Sequence, residues 1–154
     1  MAIDRRESVA TLLMASSRII RESGLRTGYP QSSAVWTALS VLESAGPHRV
    51  GDLARAVRVS QPGMTKVVHG LAADEWVRRI ADTESARAWL IVITDRGRAA
   101  LADYRRALVE ATSTAFAGLT EAQWRTLDEA ARILRSRLNG TDPLTGQNRK
   151  DTIA

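Results

Sequence analysis

Val59-Ser-Gln-Pro-Gly-Met-Thr-Lys-Val-Val-His-Gly-Leu71 is the stretch that decides how the chain folds. Ser60 is a favoured N-cap, because its hydroxyl can accept from a free backbone N–H of the first turn. Pro62 stands where a missing N–H and a fixed φ cost little, so the spacing predicts a helix that begins at Gln61. Met64, Val67, Val68 and Leu71 recur at i, i+3, i+4 and i+7 and share one buried face. Opposite them lie Pro62, Thr65, Lys66, His69 and Ala73, small, polar or cationic, with no acid before Asp74. A face of that kind can approach another surface closely.

Upstream, Val50, Leu53, Ala54 and Val57 repeat the same spacing, and only about two turns fit before Arg58-Val59-Ser60. Before that, Val35, Ala38, Leu39, Val41 and Leu42 mark a helix that Gly46-Pro47 stops, and Thr27-Gly28-Tyr29-Pro30 reads as a turn. The first helix carries Val9, Leu12, Leu13, Ser16, Ile19 and Ile20 on one side from Arg5 to Glu22 and is expected to end near Gly24. Downstream the period changes. Trp76 to Ala81 and Arg87 to Ile93, split by a polar stretch over 82–86, read as a β-hairpin. Thr94-Asp-Arg-Gly97 then caps a long helix through Leu101, Tyr104, Leu108, Ala111 and Ala115, interrupted at Gly118. Thr120-Glu-Ala-Gln123 fits a capping box, and Leu127, Ala130, Ala131, Leu134 and Leu138 form the stripe of a last helix that Asn139-Gly140 closes. Residues 141–154 have little to bury and are expected to fray.

At 154 residues, with 44% hydrophobic and 25% charged, the chain is the size and composition of one globular domain. The absence of Cys excludes disulfides, thiolate zinc and thiol redox sensing. Two His, 21 residues apart, are too few for a multi-histidine metal site within one chain, so no metal and no cofactor are expected. There is no Gly-x-Ser-x-Gly elbow, phosphate loop or His-Glu-x-x-His, and no enzymatic activity is expected. No run of apolar residues is long enough to span a bilayer, and no signal-peptide pattern opens the chain, so the reading is a cytoplasmic protein with no membrane partner. The net charge of +5 attracts polyanions. Residues 46–98 hold nine basic and six acidic groups, hence +3 of that +5. Twenty of the 22 cations are Arg, a planar fork suited to phosphates, although Arg-rich usage can equally reflect genome composition.

The expected fold is mainly α with one β-hairpin wing: a winged helix-turn-helix flanked by N- and C-terminal dimerisation helices. In that arrangement the second short helix lies in the major groove and the hairpin forms the wing. The division expected is 1–31 for an N-terminal dimerisation helix and turn, 32–98 for the DNA-binding lobe, 99–140 for C-terminal dimerisation helices and 141–154 for the tail. The outer helices carry apolar stripes that need a partner, and a two-fold homodimer is the simplest one. It would set two recognition helices about 34 Å apart, matching successive major grooves of a pseudo-palindromic duplex.

The stretches Val50-Gly-Asp-Leu-Ala54, Val59 to Leu71 and Arg87-Ala-Trp-Leu-Ile-Val-Ile-Thr-Asp-Arg-Gly97 together resemble the MarR (multiple antibiotic resistance regulator) family of transcription factors, and the resemblance covers most of the chain. It implies a supporting helix, a recognition helix and a wing strand running into a dimerisation helix. It further implies a homodimeric, sequence-specific DNA-binding regulator, a repressor released by a small aromatic or amphipathic effector. Two positions depart from the family pattern. Glu75 stands where a Gly usually makes the left-handed exit of the recognition helix, so a different exit is expected. Ser85-Ala86-Arg87 replaces Asp-x-Arg, leaving Arg87 without the usual acid, with Glu84 or Asp82 as possible substitutes.

The DNA-binding candidates are Ser60, Gln61, Pro62, Gly63, Thr65, Lys66, His69, Arg78, Arg79 and Arg87. Lys66 and Thr65 are placed for phosphates and base edges, and Gln61 for a bidentate bond to adenine. Ser60 can cap the helix and also donate to a phosphate. Pro62 and Gly63 permit close approach, and plain helix-start chemistry explains them equally well. His69 can bond a phosphate or be an ordinary surface residue. Of Arg78 and Arg79 one should face DNA and the other pair with an acid, because strand neighbours point to opposite sides. Arg87 is the candidate for the minor groove. Trp36, Trp76, Trp89 and Trp124 read first as core or dimer contacts. Tyr29, Trp36 and His48 are the candidates for the border of an effector cavity. The rival reading is a winged-helix module that binds another protein, with its basic charge incidental.

Overall fold

Asp4 opens the first helix, its carboxylate accepting from the backbone N–H groups of Arg6 and Glu7 at 2.9 and 3.3 Å. The computed structural model describes residues 4–83 and 85–138, with the side chains of 85–87 and 138 outside that description. The element order is α1 (Arg5–Arg26), α2 (Ser33–Ala45), α3 (Val50–Val57), α4 (Gln61–Ala73), β1 (Val77–Asp82), β2 (Ser85–Ile93), α5 (Asp95–Ala111) and α6 (Glu121–Leu138). The chain is thus mainly α with one antiparallel hairpin, as its periodicities require. Among the described residues no helix is long and apolar enough to cross a membrane. The expected fraying of 141–154 and the stop at Asn139-Gly140 fall outside the described residues.

The core belongs to the middle of the chain. Leu39 and Leu42 of α2, Leu53 of α3, Met64, Val68 and Leu71 of α4, Ile91 of β2 and Leu101 of α5 are the largest fully buried side chains among the described residues. Met64, Val68 and Leu71 are three of the four positions that the spacing assigns to the buried face of α4; the fourth, Val67, is half-buried. Above this core an aromatic cluster closes the lobe. The Trp36 and Tyr104 rings stack at 4.1 Å, Tyr29 meets both edge-on at 5.3 and 5.6 Å, and Trp76 lies 5.6 Å from Trp36. Trp36 is buried and Trp76 half-buried, whereas Trp89 and Trp124 are 58% and 46% exposed. An ion pair of 2.7 Å between Arg105 and Glu43 fastens α5 to α2.

α1 ends near Gly24 as read, at Arg26, and closes where the Thr27 hydroxyl donates to the Gly24 carbonyl at 2.9 Å. Two elements differ from the sequence reading. α5 stops at Ala111, short of Ala115, because Thr112 turns its hydroxyl back onto the Val109 carbonyl at 2.6 Å and a run of turns follows. The hairpin is longer than read: β1 runs to Asp82 and β2 begins at Ser85, with regular pairing from Val77↔Ile93 to Ala81↔Trp89 and a register shift before Asp82↔Ser85.

Both helices of the helix-turn-helix end alike. The Arg58 N–H donates to Arg55 O and the Val59 N–H to Ala54 O, at 3.2 and 3.0 Å. The Glu75 N–H likewise donates to Ala72 O and the Trp76 N–H to Leu71 O, at 3.1 and 2.8 Å. These paired bonds define a Schellman close, which puts Arg58 and Glu75 in the left-handed region, each at φ 59°. The different exit expected from the loss of glycine at 75 therefore does not occur; Glu75 adopts the glycine conformation.

Candidate nucleic-acid interface and effector cavity

The N-terminus of α4 is built as its sequence dictates. The Ser60 Oγ accepts from the Gly63 N–H at 3.2 Å, which leaves the hydroxyl proton free to donate outward. Gln61, Pro62, Thr65, Lys66 and His69 are all exposed, and Gly63 is half-buried. The Gln61 amide lies over the start of α3, where a Cβ on Gly51 would be 3.6 Å from its Oε1. The Thr65 hydroxyl donates to the Gln61 carbonyl at 3.0 Å, so toward a ligand it offers lone pairs. Among the described residues neither Lys66 nor His69 has a hydrogen-bond or ion-pair partner. The helix thus presents an acid-free face with an unpaired cation and a polar N-terminus, and the macrodipole adds partial positive charge there.

On the wing, Val77, Arg79 and Ala81 pair with Ile93, Ile91 and Trp89 on the face continuous with the core, while Arg78 pairs with Val92 on the other. Arg78 and Arg79 are both exposed, and neither pairs with an acid among the described residues, so the ion pair expected for one of them is not formed. Arg87 lies in β2, and its side chain falls outside the described residues, as does Glu84. Asp82 is buried and bound by Arg49, whose Nε and Nη2 donate to its Oδ2 at 2.8 and 2.5 Å. Periodicity could not reveal that pair, since its members are 33 residues apart.

A cavity of about 670 Å³ lies between α1, the turn after it, the start of α2 and Tyr104 of α5. Tyr29 and Trp36 line it together with Ile20, Arg21, Gln31 and Tyr104. His48 does not line it. Its backbone N–H donates to Ile91 O and its carbonyl accepts from the Ile91 N–H, at 3.1 and 2.8 Å, while Nδ1 lies 2.9 Å from Gly46 O. The loop before α3 is therefore committed to the outer side of β2, away from the cavity. Gln31 was not singled out by sequence, yet its Oε1 is buried without a hydrogen-bond partner among the described residues.

A supporting helix, a second helix with an open polar face and a hairpin directly after it define a winged helix-turn-helix protein of the transcription-regulator class. The chain belongs to the MarR family, whose model matches residues 32–89. The uncharacterized HTH-type transcriptional regulator YpoP of Bacillus subtilis (strain 168) is 32% identical over 94 residues, which are 61% of this chain and 67% of that protein. The crystal structure of transcriptional regulator Tm0710 from Thermotoga maritima superposes with a TM-score of 0.68 at 20% identity, covering 88% of this chain and 96% of that one. BpsR from Bordetella bronchiseptica, whose DNA binding is regulated by 6-hydroxynicotinic acid, gives 0.52 at 20% identity over 84% of this chain and 98% of its own.

Proposed function

We propose that this DNA-binding regulator works as a homodimeric, sequence-specific repressor. It would hold a pseudo-palindromic duplex through α4 and the wing of each copy and release it when a small aromatic or amphipathic molecule enters the cavity beneath α1. The observation that carries the reading is the split of α4 into a buried apolar face and an exposed, acid-free face bearing Lys66. In this reading Lys66 and His69 meet phosphates, and the Ser60 hydroxyl donates to one at the helix N-terminus. Gln61 reads adenine, Thr65 accepts from a base amino group, and Pro62 and Gly63 let the helix approach a thymine methyl. Arg78 and Arg79 reach phosphates, and Arg87 enters the minor groove.

The cavity supports ligand release through its walls. A planar ring fits against the aromatic wall formed by Tyr29, Trp36 and Tyr104. A ligand that prefers a dimer with wrongly spaced recognition helices by about 1.4 kcal/mol weakens DNA binding tenfold.

The test is a salt titration of purified protein on the duplex upstream of its own coding region. Log affinity should fall linearly with log salt, and Lys66→Ala should shallow the slope by about one unit per half-site while weakening all duplexes alike. Gln61→Ala should mainly erode discrimination between sequences. A wild-type affinity indifferent to salt would overturn the proposal.

A further inference from the structure

We infer that Arg49 is a positioning residue for the wing, holding it through Asp82 at a set angle to the recognition helix. Arg49 occupies the N-cap of α3 with an extended backbone, φ −67° and ψ 151°, yet its side chain makes no capping bond. Ser, Thr, Asp or Asn is favoured at such a position because a short oxygen-bearing side chain satisfies a free N–H. An arginine has no acceptor to offer there. Its guanidinium instead spans to β1 and donates twice to Asp82 Oδ2, at 2.8 and 2.5 Å. The Asp82 side chain is only 6% exposed, against 47% for Arg49, so a buried carboxylate depends on a cation at the rim.

The location gives that bond its consequence. Asp82 sits where regular pairing of the hairpin breaks, between Ala81 and Asp82. The preceding residue, His48, bridges through its backbone to Ile91 of β2. Residues 48 and 49 therefore grip both strands, one by main chain near the base and the other by side chain at the outer end. A two-stranded ribbon is marginally stable alone, and a second point of attachment turns it from a hinge into a lever. The inference rests on the reading of α4 and the wing as the DNA surface, because an angle between them matters only if both meet the same duplex.

Arg49→Met keeps the aliphatic stem and removes the charge, and Arg49→Lys keeps a donor for Asp82. Amide hydrogen exchange is followed across 77–93 and across α4 in the full-length protein without DNA, together with affinity for operators carrying A·T-rich or G·C-rich flanks. Arg49→Met should speed exchange at the outer wing by about tenfold or more with α4 unchanged. Preference for A·T-rich flanks should fall toward unity while discrimination within the α4 site persists. Arg49→Lys should restore most of both. Unchanged wing exchange in Arg49→Met, an increase spread equally over α4, or no rescue by Arg49→Lys would each overturn the assignment. Normal operator binding with an unaltered wing would count against Arg49 alone. A wild-type protein that binds no duplex, with the wing still loosened in Arg49→Met, would instead count against the DNA-binding reading.

Discussion

Among the described residues two that carry side chains hold the left-handed conformation, Arg58 and Glu75, and each closes a helix of the helix-turn-helix. An L-residue there carries a penalty of roughly 1 kcal/mol that glycine avoids. At Glu75 the carboxylate binds Arg96 Nη1 at 2.6 Å, but both partners are well exposed, and such a pair contributes between nothing and about 1 kcal/mol. The bond that fixes the corner, from the Thr94 hydroxyl to the Glu75 carbonyl at 2.7 Å, does not use the Glu75 side chain. Glu75→Gly should therefore stabilise the protein by about 0.5 kcal/mol and raise its melting temperature by about 1–2 °C in calorimetry. A lowered melting temperature would show that the ion pair outweighs the backbone strain. At this scale the sequence was legible where chemistry is local: the Ser60 cap and the open face of α4 follow from spacing alone. Gln31, Arg49 and the displacement of His48 were not legible, because each owes its role to groups brought close only by the tertiary fold.

α5 joins the wing to the outer helices, and it does so through a close approach that only glycine permits. A Cβ at Gly97 would collide with the Trp76 carbonyl oxygen and press on Ile93 Cγ1 at 3.0 Å. Because the obstacle is backbone, relief requires α5 to shift against the start of β1. Gly97→Ala should cost about 1–3 kcal/mol and lower the midpoint of urea unfolding. An unchanged midpoint would mean that the helix start yields more easily than this packing implies. The Thr94 cap on Gly97 N–H, at 3.0 Å, was legible from Thr94-Asp-Arg-Gly97, whereas the need for glycine depends on the distant Trp76 carbonyl just before β1. The capping box of α6 was equally legible: Thr120 N–H donates to Gln123 Oε1 at 2.8 Å and Gln123 N–H returns to Thr120 Oγ1 at 3.3 Å. The end of α5 was not, since the helical period of its apolar residues continues beyond the hydroxyl-rich turn that stops it.

Across the whole molecule the buried side chains collect in the lobe, and the outer helices stand largely apart from it. From Glu121 to Arg137 every residue of α6 is exposed except the half-buried Ala130. Trp124, Leu127, Ile133 and Leu134 are 46%, 39%, 51% and 44% exposed, and Val9, Leu13 and Ile20 of α1 still more so. Apolar stripes on both outer helices are what a second copy would cover in the proposed dimer. Leu134→Asp would set a charge into that contact and should yield monomers by light scattering. A variant that stays dimeric would remove α6 from the interface. The stripe was legible in the sequence, whereas the poverty of its attachment to the lobe was not, because periodicity tells which side is apolar and not what meets it. With α6 so little anchored to its own protomer, dilution on the dimeric reading strips away part of the fold as well as the pairing. If the proposed dimer also holds the proposed operator, occupancy would then fall faster than protein number as cells divide, so that the regulator would gauge its own supply.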